Sequence, residues 1–109
     1  MNDGFQPIIV TTTGDNRAVL EGLAEQLIEH KIAACVQISS PIVSYYRWEG
    51  RVERSNEWVL VIKTSKSKYA QVQQLIANQH NYDQPQIVAV NVIQGSPGYL
   101  AWLKDQLND

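Results

Sequence analysis

A single cysteine, Cys35, leaves the chain without a partner for an internal disulfide, and no two thiols stand at zinc-finger spacing. The fold must be held by packing. Long apolar runs are missing as well: stretches such as 58–62 stop after a handful of residues, whereas a bilayer-spanning helix needs about 20. No membrane partner is expected. Charge of one sign is also lacking, with nine Lys and Arg against eleven Asp and Glu and a formal net charge of -2. No surplus positive field exists to draw in a phosphate backbone, so nucleic acid is not an expected partner. Residues 1–6 are polar and lack the basic start and apolar middle of a secretory leader, which makes the cytoplasm the expected compartment.

What is present suits one globular domain over 1–109: the chain has 109 residues and a 44% hydrophobic content. From Pro7, a β-branched run through Thr13 ends at Gly14-Asp15-Asn16 and predicts a strand and a turn, with Asp15 or Asn16 capping a helix. Leu20, Leu23, Ala24, Leu27 and Ile28 then place one apolar stripe along 16–31. Residues 34–49 are rich in Val, Ile and Tyr and read as a long strand, although Pro41 marks a bend, a bulge or an edge within it. Past Pro41, Ile42, Ser44, Tyr46 and Trp48 alternate with Val43, Tyr45 and Arg47 on two faces. Glu49-Gly50 suits a tight hairpin, and 51–64 returns as a second long strand.

Ser65 is a natural N-cap for a helix whose stripe is Tyr69, Val72, Leu75 and Ile76, ending near His80-Asn81 before Pro85. A strand over 86–93 follows. Ser96-Pro97 then opens a closing helix carrying Tyr99, Leu100, Leu103 and Leu107. The order βαββαβ plus one helix predicts an α+β, ferredoxin-like sandwich with a long hairpin between its second and third strands.

That hairpin has a consequence for assembly. Residues 34–49, if continuous, extend roughly 50 Å, while a domain of this size has a radius of gyration of about 13 Å. The tip should project, yet it carries Tyr45, Tyr46 and Trp48 with Val52 opposite. Exposed rings on an unpaired ribbon are a liability for a monomer and an interface for an oligomer. The competing reading is that Pro41 folds the tip back onto its own domain.

Sites of chemistry are sparse. The 11–16 segment could hold an anion at a helix start, or be an ordinary turn and cap. His30 and His80 both fall near helix C-termini, where the dipole favours a cation. His80 also begins a His-Asn-Tyr-Asp segment that could supply part of a metal site. Cys35 reads as a small buried hydrophobe or a soft-metal ligand. No local cluster reaches the three or four ligands of a tight metal site, so such a site would be assembled across segments or subunits. Glu57 and Lys63 share a strand face and could form a salt bridge or a ligand-binding pair. No nucleophile motif or marked carboxylate pair points to catalysis. An RNA-binding sheet would carry stacking aromatics on its first strand, and 8–13 has none.

Ala34-Cys35-Val36, the run from Ser44 to Gly50, the segment from Glu57 to Thr64, His80-Asn81-Tyr82 with Pro85, and Tyr99 to Trp102 together resemble the CutA family. The resemblance runs in order over 8–107. It implies a non-enzymatic homotrimer, PII-like in architecture, linked to divalent-cation tolerance, with no required cofactor and copper or another divalent cation as the candidate ion. It further implies intersubunit clefts lined by Arg47, Trp48, Glu57, Lys63 and Tyr82, holding a metal ion or small molecule. His80, and more remotely Cys35, would serve as metal ligands, and Tyr45, Tyr46, Trp48 and Val52 would form the trimer interface. The chain departs from the family pattern where it reads His80-Asn81-Tyr82-Asp83-Gln84-Pro85-Gln86, with Asn and Gln in place of the family's Pro and final Glu, and it has Thr11 and Gln79 where some members carry Cys and a second His.

Overall fold

The computed structural model describes residues 4–109. Strand β1 (Pro7–Gly14) alternates as its β-branched run predicts, burying Ile8, Val10 and Thr12 on one face while Ile9, Thr11 and Thr13 stay half-buried on the other. Asn16 then opens helix α1 (Arg17–Glu29), its side chain accepting the Val19 N–H at 3.3 Å. Of the 11–16 segment, residues 11–14 complete β1 and Asp15-Asn16 make the turn and cap. Leu20, Leu23 and Leu27 bury fully on the stripe facing the sheet, each stabilising the fold by roughly 1.5–3 kcal/mol.

The long strand expected over 34–49 is two strands, β2 (Cys35–Ile38) and β3 (Ile42–Trp48), both antiparallel to β4 (Arg51–Ser65). Register explains the break. Ile38 stands opposite Leu60 and Ile42 opposite Glu57, so 39–41 face only Trp58 and Val59. The extra residue is a β-bulge at the proline that cannot donate to the ladder. Ser39 closes the gap: its N–H donates to the Val59 carbonyl, and its hydroxyl accepts the Val59 N–H, both at 2.9 Å. The bulge also swaps faces. Val36 and Ile38 lie with Leu60 and Ile62 on the core side, whereas Ile42, Ser44, Tyr46 and Trp48 lie with Glu57, Ser55, Glu53 and Arg51 on the other. At the tip, Glu49 and Gly50 both adopt positive φ, as a two-residue hairpin turn requires.

A short 3-10 turn (Lys66–Lys68) precedes helix α2 (Tyr69–Gln79). Ser65 starts this turn without capping it through its side chain, contrary to the sequence expectation, because its hydroxyl is taken by the Asp109 carboxylate at 2.5 Å. Strand β5 (Val88–Asn91) is shorter than the 86–93 pattern, and helix α3 (Pro97–Leu107) starts at its proline.

Among the described residues these elements make an α+β fold with a five-stranded antiparallel sheet ordered β2-β4-β1-β5, β3 pairing on the extension of β4. Helices α1 and α2 cover one sheet face, where Ile8, Val10, Leu60, Ile62, Leu23, Val72 and Ile76 form the core. The opposite face carries Val88 and Val90, both exposed, and α3 flanks its Lys63 end through Tyr99. The molecule measures 47 × 26 × 24 Å. Its β3–β4 arm leaves Tyr45 at 69%, Trp48 at 57% and Val52 at 70% exposure, so the tip is not folded back over its own core.

Candidate functional site

The densest polar constellation sits where the base of the arm meets the segment after α2. Glu57, on the β4 face opposite the core, is only 6% exposed. Its Oε2 accepts a 2.6 Å hydrogen bond from the Tyr82 hydroxyl. Burial, then this hydrogen bond, then the nearby negative charges of Glu57 and Asp15 push the Tyr82 phenol well above its ordinary value. Tyr82 is thus a fixed proton donor at neutral pH.

His80 holds Tyr82 in place. The Tyr82 N–H donates to His80 Nδ1 at 3.0 Å, which leaves the ring proton on Nε2, donated to the Thr13 carbonyl at 2.8 Å. The Tyr82 N–H, two residues away, and the Thr13 carbonyl on β1 therefore select the tautomer with its proton on Nε2. The rings of His80 and Tyr82 lie 4.7 Å apart, tilted by 45°. Gly14 lets the imidazole approach: a Cβ there would come within 3.2 Å of Nε2. Asn81 completes the turn by donating to Asp15 Oδ1 at 2.9 Å. In this arrangement neither ring nitrogen of His80 is left open to a metal ion, and the residue works as a structural clamp.

The remaining candidates are spread along β4 and the arm. Glu57 and Lys63 share a face as their spacing predicts, but six positions at about 3.3 Å put them roughly 20 Å apart. No salt bridge forms; Lys63 Nζ instead lies 5.7 Å from the Tyr99 ring centroid, a cation–π contact. Cys35 is unbridged, half-exposed and opposite Lys63. Trp48 faces Arg51 and Arg47 faces Val52 at the arm tip. Tyr45 accepts from Arg54 Nε at 3.2 Å, and Tyr46 shares a 2.7 Å bond with Ser55. Within one chain only Glu57 and Tyr82 of the proposed ligand residues meet. Among the described residues no three His, Cys, Asp or Glu side chains gather as a metal cage. Sequence reasoning missed the Asn81–Asp15 bond and the Ser65 and Ser67 contacts to Asp109, which join positions far apart in sequence and carry no local signal.

Residues 8–106, which span this whole arrangement, match the family described as CutA1 divalent ion tolerance protein. The chain belongs to the CutA1 family. Its CutA1 relatives include "Protein CutA, chloroplastic" of Arabidopsis thaliana, 39% identical over 98 residues that cover 90% of this chain. This chain spans only 54% of that relative's length. The "Divalent-cation tolerance protein CutA" of Thermus thermophilus is 33% identical over 89% of this chain and 94% of its own length. Among solved structures, CutA1 from Oryza sativa superposes with a TM-score of 0.89 at 37% identity, covering 93% of each chain. The α+β fold with its antiparallel sheet and three helices is thus shared with CutA1 structures.

Proposed function

We propose that this chain works as a non-enzymatic homotrimer in divalent-cation tolerance, binding a metal ion or small ligand in clefts between subunits. Family membership supports the link to divalent cations. The assembly rests on one observation: the β3–β4 arm holds Tyr45, Tyr46, Trp48 and Val52 in solvent, an apolar ribbon that a second copy would cover. With β2 and β3 counted as one bulged strand, the β2-β4-β1-β5 order supports a ferredoxin-like, PII-like subunit. Arg47, Trp48, Glu57, Lys63 and Tyr82, dispersed in one chain, are proposed to converge only across subunits. The half-exposed, unbridged Cys35 suits the reducing cytoplasm as its compartment.

Copper or another divalent ion is the first ligand to test. Cys35 would be its soft donor, and His80 could contribute only by giving up a backbone bond. A second reading, a trimeric signalling module that binds a metabolite or protein with no direct metal role, is favoured by the engagement of both His80 nitrogens. Light scattering and calorimetric titration with copper and zinc separate these readings. Trimeric mass with saturable uptake supports the metal reading; trimeric mass without uptake supports the second; a monomeric mass at low concentration overturns both.

A further inference from the structure

We infer that the buried Glu57 carboxylate is the socket for Arg51 on the arm of a second copy of this chain, so that the base of each arm is completed by the tip of a neighbour's. The inference deepens the proposed assembly and rests on it. Three observations carry it. Glu57 is almost wholly buried, and the hydrogen bond it accepts comes from the neutral hydroxyl of Tyr82. Among the described residues no ion pair joins it to a Lys, Arg or His. Burying a carboxylate with no counter-charge is costly, and because Glu57 Oε1 is neither bonded nor among the sealed polar atoms, a counter-charge from outside the chain can still reach it.

The arm bears the complementary charge at its other end. Arg47, Arg51 and Arg54 are all exposed there, but they do not share a face. Arg47 and Arg54 belong to the side of Val52 and Tyr45, and Arg54 is already bonded to the Tyr45 hydroxyl. Arg51 alternates with Glu53, Ser55 and Glu57 on the side of Tyr46 and Trp48. Six residues of extended chain hold Arg51 roughly 20 Å from its own Glu57, so the two cannot pair within a chain. A neighbouring arm laid tip to base along this face would pair them. The same contact would cover Trp48 and Tyr46. With Oε2 held by Tyr82, the carboxylate is oriented for the planar fork of a guanidinium, which a lysine would match less well.

The test uses the full chain in a Cys35→Ala background, with Arg51→Cys and Glu57→Cys combined and oxidised by glutathione disulfide. A disulfide requires Cα atoms within about 7 Å, so an intrachain bond is geometrically barred. Interchain multimers on a non-reducing gel are the expected result, and an Arg54→Cys, Glu57→Cys control, whose positions lie on opposite faces and outside the proposed cleft pairing, should stay largely uncrosslinked. In parallel, Glu57→Gln and Arg51→Gln should each weaken assembly about ten-fold or more, and the double variant no further, since both remove one coupled pair. Absent crosslinks, a control that crosslinks equally, or additive losses, each with the assembly otherwise intact, would overturn the socket while leaving the oligomer standing. A monomeric unmodified chain would remove the oligomer and the socket together.

Discussion

The Tyr82 hydroxyl lies 2.6 Å from Glu57 Oε2, tying the segment that follows α2 to the base of the projecting arm. These residues are 25 positions apart in sequence, and the bond fixes the orientation of the most buried carboxylate in the molecule's candidate site. It also makes the arm's footing sensitive to a single phenolic proton.

Tyr82→Phe should destabilise the protein by roughly 1.5–3 kcal/mol, the usual worth of a hydrogen bond to a charged group. Urea titration at fixed protein concentration measures it. The folded-state pKa of Tyr82 is raised above its ordinary value, so its contribution is fully present below about pH 10 and declines as pH climbs beyond that. Tyr82→Phe should remove that part of the alkaline loss.

His80→Ala should cost roughly 1–3 kcal/mol, because the Thr13 carbonyl and the Tyr82 N–H both lose their partner. Nitrogen-15 spectra of the imidazole should show the proton on Nε2, as its two hydrogen bonds require. Gly14→Ala should disturb the same spectrum, since the new methyl presses on Nε2.

Thr12→Val should be neutral or stabilise by up to about 1 kcal/mol. Thr12 Oγ1 is buried without a hydrogen-bond partner, and valine fills the same volume without the desolvated hydroxyl. Thermal unfolding of the two proteins decides it; a clear loss of stability would mean that the hydroxyl is satisfied in solution.

Ser39→Ala should cost about 1 kcal/mol and speed hydrogen exchange at the Val59 amide, whose acceptor at the bulge is the Ser39 hydroxyl. Neighbouring β4 amides paired to β2 backbone carbonyls should be far less affected.

Most of the element order was legible locally. The β-branched run after Pro7, the Leu20-Leu23-Leu27 stripe and the proline that opens α3 each carry a local signal, and each became the expected element, although Ser96 holds the N-cap position without a side-chain hydrogen bond. Pro41 announced a break whose nature it could not specify, since a bulge is defined by the residues opposite it. The partner of Ser65 was illegible for the same kind of reason: the carboxylate that draws its hydroxyl away from capping lies 44 positions further on. His80 stood out by residue type, which suggested metal chemistry, yet its role follows from Thr13 and Gly14, brought to it by the packing of α2 against the sheet.

Sequence alone determined the order of the elements, which residues share a face within each, and that a hairpin rich in Tyr and Trp extends between them, because periodicity and turn chemistry act over a few residues. Only the tertiary structure decided which polar groups meet. The face on which the arm carries Trp48, Arg51 and Glu57, the tautomer of His80 and the Tyr82–Glu57 bond all depend on one inserted residue at the bulge and on contacts between distant segments, and hydrogen bonds are won by proximity in space that no local pattern encodes.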